Sequence, residues 1–168
     1  MKIQVGGLSE GVYQYRFEAK ASDLALGENF PGDLAVDATL EKTGSQLYLK
    51  AEIRTTATFS CDRCVRPFAR TLSPSYRMYY FWNDAAAGQF DPSEVQVLPV
   101  GATVVDISED VRQTILLAVP YKLLCRDDCK GLCPQCGQNL NEGTCHCATT
   151  IPDGRWEKLR ALHNGPQD

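Results

Sequence analysis

Eight cysteines in two blocks are the residues best equipped for chemistry in this 168-residue chain: Cys61 and Cys64, then Cys125, Cys129, Cys133, Cys136, Cys145 and Cys147. The sharpest signal is Cys133-Pro134-Gln135-Cys136-Gly137. Two cysteines separated by two residues can put both sulfurs on one ion at ~2.3 Å, and Gly137 lets the backbone turn beneath it. This is the knuckle of a zinc ribbon. Cys145 and Cys147 can close the tetrahedron, because Asn139, Asn141 and Gly143 in between are turn formers that let the chain fold back. One site is therefore expected at Cys133, Cys136, Cys145 and Cys147. Cys61, Cys64, Cys125 and Cys129 remain for another, which would staple distant parts of the chain. The Cys125 to Cys129 spacing is looser and Cys129 sits close to Cys133, so on spacing alone ligands could be exchanged between the sites.

Four thiolates leave zinc no open position, so such metals are structural and no catalytic residue is expected. The expected cofactor is zinc, two ions per chain, although iron in a rubredoxin-type site has similar geometry. Cys-x2-Cys is also the thioredoxin-type redox pair. That pair normally sits where a strand meets a helix, whereas Cys61 and Cys64 join two expected strands, so a thiol redox protein or redox sensor is the runner-up. A zinc deaminase needs His-x-Glu, and Cys147-Ala148 follows His146 while Asn164-Gly165 follows His163. That class is excluded. His146 lies between two expected ligands and could replace one, but a solvent-facing loop histidine is the preferred reading.

Cysteine is ~5% of the chain, below the roughly 8–10% of disulfide-stapled secreted scaffolds. The opening Met1-Lys2-Ile3-Gln4-Val5-Gly6-Gly7 has no apolar run before a cleavage site, and no stretch approaches the ~20 apolar residues of a membrane span. A cytoplasmic location is expected, and a reducing cytoplasm favours metal ligands over disulfides. The formal charge of −4 argues against a protein wrapped uniformly by nucleic acid. Two zinc ions on eight thiolates would take it to about −8. Between residues 50 and 82, however, Lys50, Arg54, Arg63, Arg66, Arg70 and Arg77 face only Glu52 and Asp62. Arg63, Arg66, Arg70 and Arg77, near the first knuckle, are candidates for a phosphate-binding role, weighed against an ordinary solvated face.

Strands must position these groups. Tyr13, Tyr15, Phe17 and Ala19 alternate with polar residues, and so do Leu34, Val36, Ala38 and Leu40. After a turn at Gly44-Ser45, Leu47, Leu49, Ala51, Ile53, Ala57 and Phe59 line one face of a long strand whose parity runs on to Cys61. The aromatic run at 76–82 predicts the next strand, so that two strands meet at the Cys61 to Cys64 turn. Its rings are assigned to core or sheet packing, since a stacking platform needs exposed rings. Residues 83–92 read as a loop, with a short helix through Ala85-Ala86-Ala87 as the alternative.

A helix is predicted from Asp106 as N-cap, with Glu109 completing an acidic capping box and Ile107, Val111, Ile115, Ala118 and Val119 on one face until Pro120. Beyond Lys122 apolar periodicity vanishes, and a metal must substitute for the core. A short helix at 154–162 would pack Trp156, Leu159 and Leu162 inward. No internal repeat of useful length is present. The expected fold is α+β: a mostly antiparallel curved sheet or partial barrel covered by a helix, with a Cys-rich zinc-binding C-terminal segment. Residues 1–120 form the sheet domain, and residues 121–168 form the zinc-binding segment and C-terminal helix packed on it.

The run Cys129-Lys130-Gly131-Leu132-Cys133-Pro134-Gln135-Cys136-Gly137-Gln138-Asn139-Leu140-Asn141 resembles the signature of the YceD family, the bacterial large ribosomal RNA subunit accumulation proteins. The resemblance takes in the Cys61-Asp62-Arg63-Cys64 turn, the helix before Pro120 and the Arg155-Trp156 to Leu162 ending; the N-terminal strands match only in character. It implies a non-enzymatic ribosome-biogenesis factor supporting accumulation or processing of large-subunit ribosomal RNA. The implied partner is ribosomal RNA or a large-subunit assembly protein, with no membrane and no small-molecule substrate. Some family members keep the first Cys-x2-Cys without the later cluster, so that cluster reads as a stabilising addition.

Overall fold

A computed structural model describes residues 1–83, 88 and 90–147. The alternating segments become β2 (Gly11–Lys20), β3 (Asp33–Thr43) and β4 (Gln46–Ser60), which pair antiparallel in sequence order. β4 shows why period-two patterning dictates a strand with one dry face. Leu47, Leu49, Ala51, Ile53, Thr55, Ala57 and Phe59 are buried, and the residues between them face outward. Thr55 is the buried polar residue of this core among the described residues, and its hydroxyl has no partner.

The return from β4 differs from the single aromatic strand expected. β5 (Pro67–Leu72) and β6 (Ser75–Phe81) both pair antiparallel with the same edge of β4, from Ser60 opposite Pro67 to Gln46 opposite Phe81. The register is continuous across both. Pro74 interrupts the ladder: it has no N–H to donate, though its carbonyl still accepts from the Ile53 N–H at 2.9 Å. One long hairpin thus carries the Cys61 to Cys64 turn at its tip.

β7 (Val95–Val97) joins the far side of β6 in parallel, giving the order β2-β3-β4-β6-β7 with β5 also on β4. The path is open, with β2 and β7 at its ends. β1 (Lys2–Gln4) and β8 (Val104–Asp106) form a separate antiparallel pair. The core lies on one face of the larger sheet. Ile3 and Val105 from the small sheet pack there with Leu26, Phe30, Ile107, Val111 and Ile115. Truncating one of the large buried side chains, such as Ile53, to alanine costs about 2–5 kcal/mol.

Helix α1 (Ser108–Leu117) lays Val111 and Ile115 on that core, as the sequence periodicity requires. Its start departs from the expected capping box. Asp106 ends β8 opposite Lys2, and its carboxylate accepts from the Ser108 N–H at 3.0 Å. Glu109 does not reach back; it accepts from Arg112 at 3.2 Å and Gln113 at 3.0 Å. The strand pairing holds Asp106, so the glutamate serves the next turn instead. No helix among the described residues is long and apolar enough to cross a membrane. The helices expected at 85–87 and 154–162, and His163, lie outside the described residues.

Candidate metal centres

The tip of the hairpin is a tight turn. The Cys61 N–H donates to the Arg66 carbonyl at 2.9 Å, and the Val65 N–H donates to the Cys61 carbonyl at 2.8 Å. The second knuckle repeats both bonds: Cys133 N–H to the Gln138 carbonyl at 2.8 Å, and Gly137 N–H to the Cys133 carbonyl at 2.9 Å. The two turns are structural duplicates although no repeat runs through the sequence. They differ at the residue after the second cysteine, which must be left-handed in both. Gly137 takes φ 75° without a side chain to clash, whereas Val65 takes φ 59° with a branched one.

The structure brings the eight sulfurs together in two fours: Cys61, Cys64, Cys125 and Cys129, and Cys133, Cys136, Cys145 and Cys147. Within each four, all sulfurs lie within 4.8 Å of one another. Cys61 and Cys129 sulfurs are 3.8 Å apart, and Cys64 and Cys125 sulfurs 3.7 Å. A disulfide needs ~2.05 Å. A tetrahedron with metal–sulfur bonds of ~2.3 Å has edges of about 3.8 Å, which is the spacing found. Geometry and donor set therefore fit a thiophilic divalent ion in each. His146 is exposed and outside both groups.

Electrostatics agree. Burial pushes the Cys61 thiol up, but the N–H groups of Cys125, Cys64 and Arg63 outweigh it and bring its pKa down to about 6. The Cys136 and Gln135 N–H groups likewise hold Cys133 down at about 6. Each cluster also contains a thiol driven the other way. Cys125 is pushed up to about 12 by burial and by the neighbouring thiols of Cys64 and Cys61, and Cys147 to about 12 by its hydrogen bond with Cys136 and by burial. One thiolate opposes the next in a crowded cluster, and a divalent cation removes that conflict by deprotonating all four.

Residues between the ligands fix the inner cluster. Asp62 accepts from the Leu123 N–H through its carboxylate at 2.7 Å and donates its own N–H to the Leu123 carbonyl at 2.8 Å. This ties the segment after α1 to the hairpin tip. The Arg63 guanidinium donates to the Cys129 carbonyl at 2.7 Å, while its carbonyl accepts from the Leu132 N–H at 3.1 Å. Gly131 is required here: at φ 77°, a Cβ would sit 3.1 Å from the Arg63 carbonyl oxygen. Asn141 is the residue the sequence undersold, as a turn former. Its amide donates to the Cys129 sulfur at 3.3 Å, and its oxygen accepts from the Lys130 N–H at 2.8 Å and from Arg126 at 2.7 Å. The available signal was an amide side chain inside a run of thiol ligands.

The four arginines singled out in the sequence do not share one surface. Arg63 is the strut just described, and Arg66 pairs with Glu142. Arg70 stands opposite Ala57 on the core side of the sheet. Arg77 stands opposite Lys50 on the other side and pairs with Glu94 at 3.1 Å.

Fold and site define a class: a mostly antiparallel sheet protein whose hairpin tip and C-terminal segment build two four-thiol clusters of metal-binding geometry. The chain belongs to the YceD family, described as large ribosomal RNA subunit accumulation protein YceD, whose pattern it matches over residues 49–163. That span begins within β4 and includes every cysteine. Curated relatives include an uncharacterized protein of Mycobacterium tuberculosis (strain ATCC 25618 / H37Rv), 27% identical over 126 residues, covering 75% of this chain and 60% of the relative. Large ribosomal RNA subunit accumulation protein YCED homolog 1, chloroplastic, of Arabidopsis thaliana is 26% identical, covering 82% of this chain and 50% of the relative. Its Zea mays counterpart of the same name is 25% identical, covering 77% and 56%. The chain thus spans about half to three fifths of the relatives it matches. No solved structure gives a significant match.

Proposed function

We propose that this protein is a non-enzymatic ribosome-biogenesis factor that supports accumulation or processing of large-subunit ribosomal RNA by binding ribosomal RNA or an assembly protein of that subunit. The observation that carries this reading is the family match across residues 49–163, reinforced by the plant relatives named as large ribosomal RNA subunit accumulation proteins. We assign one zinc ion to each cluster, eight cysteines serving as the ligands. Four sulfurs around each ion leave no position for substrate, which favours a structural role over metal catalysis. Residues 1–120 and 121–168 then act as a sheet domain and a zinc-bound segment docked on it. Eight free thiols fit a reducing cytoplasm.

Depleting the protein in its native cell should lower large-subunit ribosomal RNA relative to small-subunit RNA, and restoring the wild-type chain should reverse the loss. Unchanged ratios would remove the reading. The thiol redox alternative draws on the depressed Cys61 thiol, yet that residue is 2% exposed and its sulfur contacts Cys129 across the segments. Metal analysis separates the two. Close to two zinc ions per chain with slow alkylation supports structural sites; none, with rapid native-state alkylation of all cysteines, supports redox chemistry.

A further inference from the structure

The outer face of the large sheet carries an aromatic group and two cations that lie outside the hydrophobic core. Tyr48 of β4 and Tyr79 of β6 stand directly opposite, half-buried, with ring centroids 4.8 Å apart. Tyr76 and Tyr80 of the same run pack into or against the core, whereas alternation turns Tyr79 and Phe81 to the outer face, where Phe90 packs on both with ring centroids 4.7 Å and 5.2 Å away. Two residues further along β4, Lys50 stands directly opposite Arg77. Like charges facing each other across a ladder destabilise it. Their side chains remain 50% and 61% exposed, held by Glu52 at 2.7 Å and Glu94 at 3.1 Å. Exposed ion pairs of this sort are weak and yield readily to a competing anion.

Beside the rings is an open depression of about 350 Å³ lined by Glu41, Thr43, Gln46, Tyr48 and Tyr79. It offers ring surface of Tyr48 and Tyr79, whose planes are inclined by 36°, with the hydrogen-bonding groups of Glu41, Thr43 and Gln46 at its edge. The cation pair lies about 7 Å away, two residues at ~3.4 Å each, a distance that a nucleotide spans between base and phosphate. Aromatic rings accept the face of any base, while Lys50 and Arg77 complement the backbone.

We propose that this face binds single-stranded RNA, with an unpaired base stacked on Tyr48 and Tyr79 and the adjoining phosphate held by Lys50 and Arg77. The inference deepens the ribosome-biogenesis reading and rests on it for its choice of nucleic acid. An acidic protein segment would use the cations but gain nothing specific from the ring pair.

The test measures binding of the full zinc-loaded chain to an unstructured single-stranded RNA of about 12 nucleotides and to the same sequence as a duplex. Tyr48→Leu and Tyr79→Leu should each weaken single-strand binding by roughly 5- to 150-fold, while Tyr48→Phe, which keeps the ring, should bind like wild type. Lys50→Gln and Arg77→Gln, at exposed positions, should each reduce the salt slope by about 0.7. If a tyrosine variant fails to fold, the two glutamine variants decide the matter. Wild-type affinity and salt slope in all foldable variants, or a duplex bound as tightly as the single strand, would overturn the platform while leaving RNA binding in place. No RNA binding by the wild type would also overturn it, and an intact effect of depletion on ribosomal RNA would then point to an assembly protein as the partner.

Discussion

The two cysteine clusters use one turn for different ends. In the inner cluster, Cys61, Cys64 and Cys129 are buried and Cys125 half-buried; in the outer one Cys133 is buried but Cys136 is exposed. The inner turn belongs to the sheet, growing from β4 and β5, and its other two cysteines arrive from 61 and 68 residues away. The outer cluster draws all its cysteines from residues 133–147. A metal held by the same donor set would thus be a tertiary cross-link in one place and a local substitute for an apolar core in the other. Context decides the energetic role of a metal site more than its ligands do.

Removing one ligand from each cluster should break that comparison most sharply. Cys129→Ser should cost at least about 3 kcal/mol and lower the melting temperature of the whole chain, because metal-binding free energy here is folding free energy. Cys136→Ser or Cys133→Ser should leave the sheet's melting nearly unchanged and loosen hydrogen-exchange protection chiefly within the cysteine-rich segment. Protection lost equally everywhere in both variants would make the outer site integral too. Next in size is metal release. A chelator should strip the exposed outer cluster at least about tenfold faster than the inner one, whose surrounding hydrogen bonds restrain the ligands. Single-phase release would erase the distinction.

A smaller effect concerns the residue after each second cysteine. Gly137→Val should cost about 1–3 kcal/mol in stability of the outer segment, since it forces a branched residue to φ 75°. Val65→Gly relieves that strain but adds ~0.5–1 kcal/mol of unfolded-chain entropy, so the net change should be close to zero or slightly stabilising. Urea unfolding followed by tryptophan and tyrosine fluorescence reads both. A large loss in Val65→Gly would mean that the valine makes a contact worth more than its strain.

The last expected effect is on pH dependence after metal removal. Cys61 and Cys133 have folded pKa values of about 6, below the ordinary thiol value of about 9, so their contribution is complete above pH 9 and disappears as pH falls through 6. Cys125 and Cys147, raised to about 12, contribute fully below pH 9 and lose that contribution as pH rises toward 12. Reduced, chelator-stripped protein should therefore be most stable near pH 9 in urea titrations. The zinc-loaded chain, with its thiols already deprotonated, should not decline above pH 9 for this reason. Matching profiles would deny the clusters their part in stability.

Much of the sheet was legible because a period of two is a direct consequence of strand geometry: β2, β3 and β4 each show it over ten or more residues. β1, β7 and β8 are three residues long, too short for any period, and β7 is placed by a parallel pairing that local sequence does not encode. Pro74 could be seen to break a strand, but the continuous register on both sides of it could not. The spacing of the eight cysteines points to metal chemistry, and the structure sets their sulfurs in two fours. Their supports were hidden, since Asp62, Arg63 and Asn141 act through backbone groups far along the chain. The basic window is a neighbourhood in sequence alone: its arginines fall on a turn and on opposite faces of one hairpin.

The separation between the two halves of the inner cluster also sets a clock on synthesis. Cys64 is made 61 residues before Cys125. At about 5–20 residues per second, the first pair of thiols waits roughly 3–12 s for its partners. Through that interval the hairpin tip is an unfinished half-site, open to oxidation or to capture of a wrong ion. The outer cluster, encoded within fifteen consecutive residues, has almost no such interval. A newly made chain is therefore most vulnerable at the site that will become its most protected.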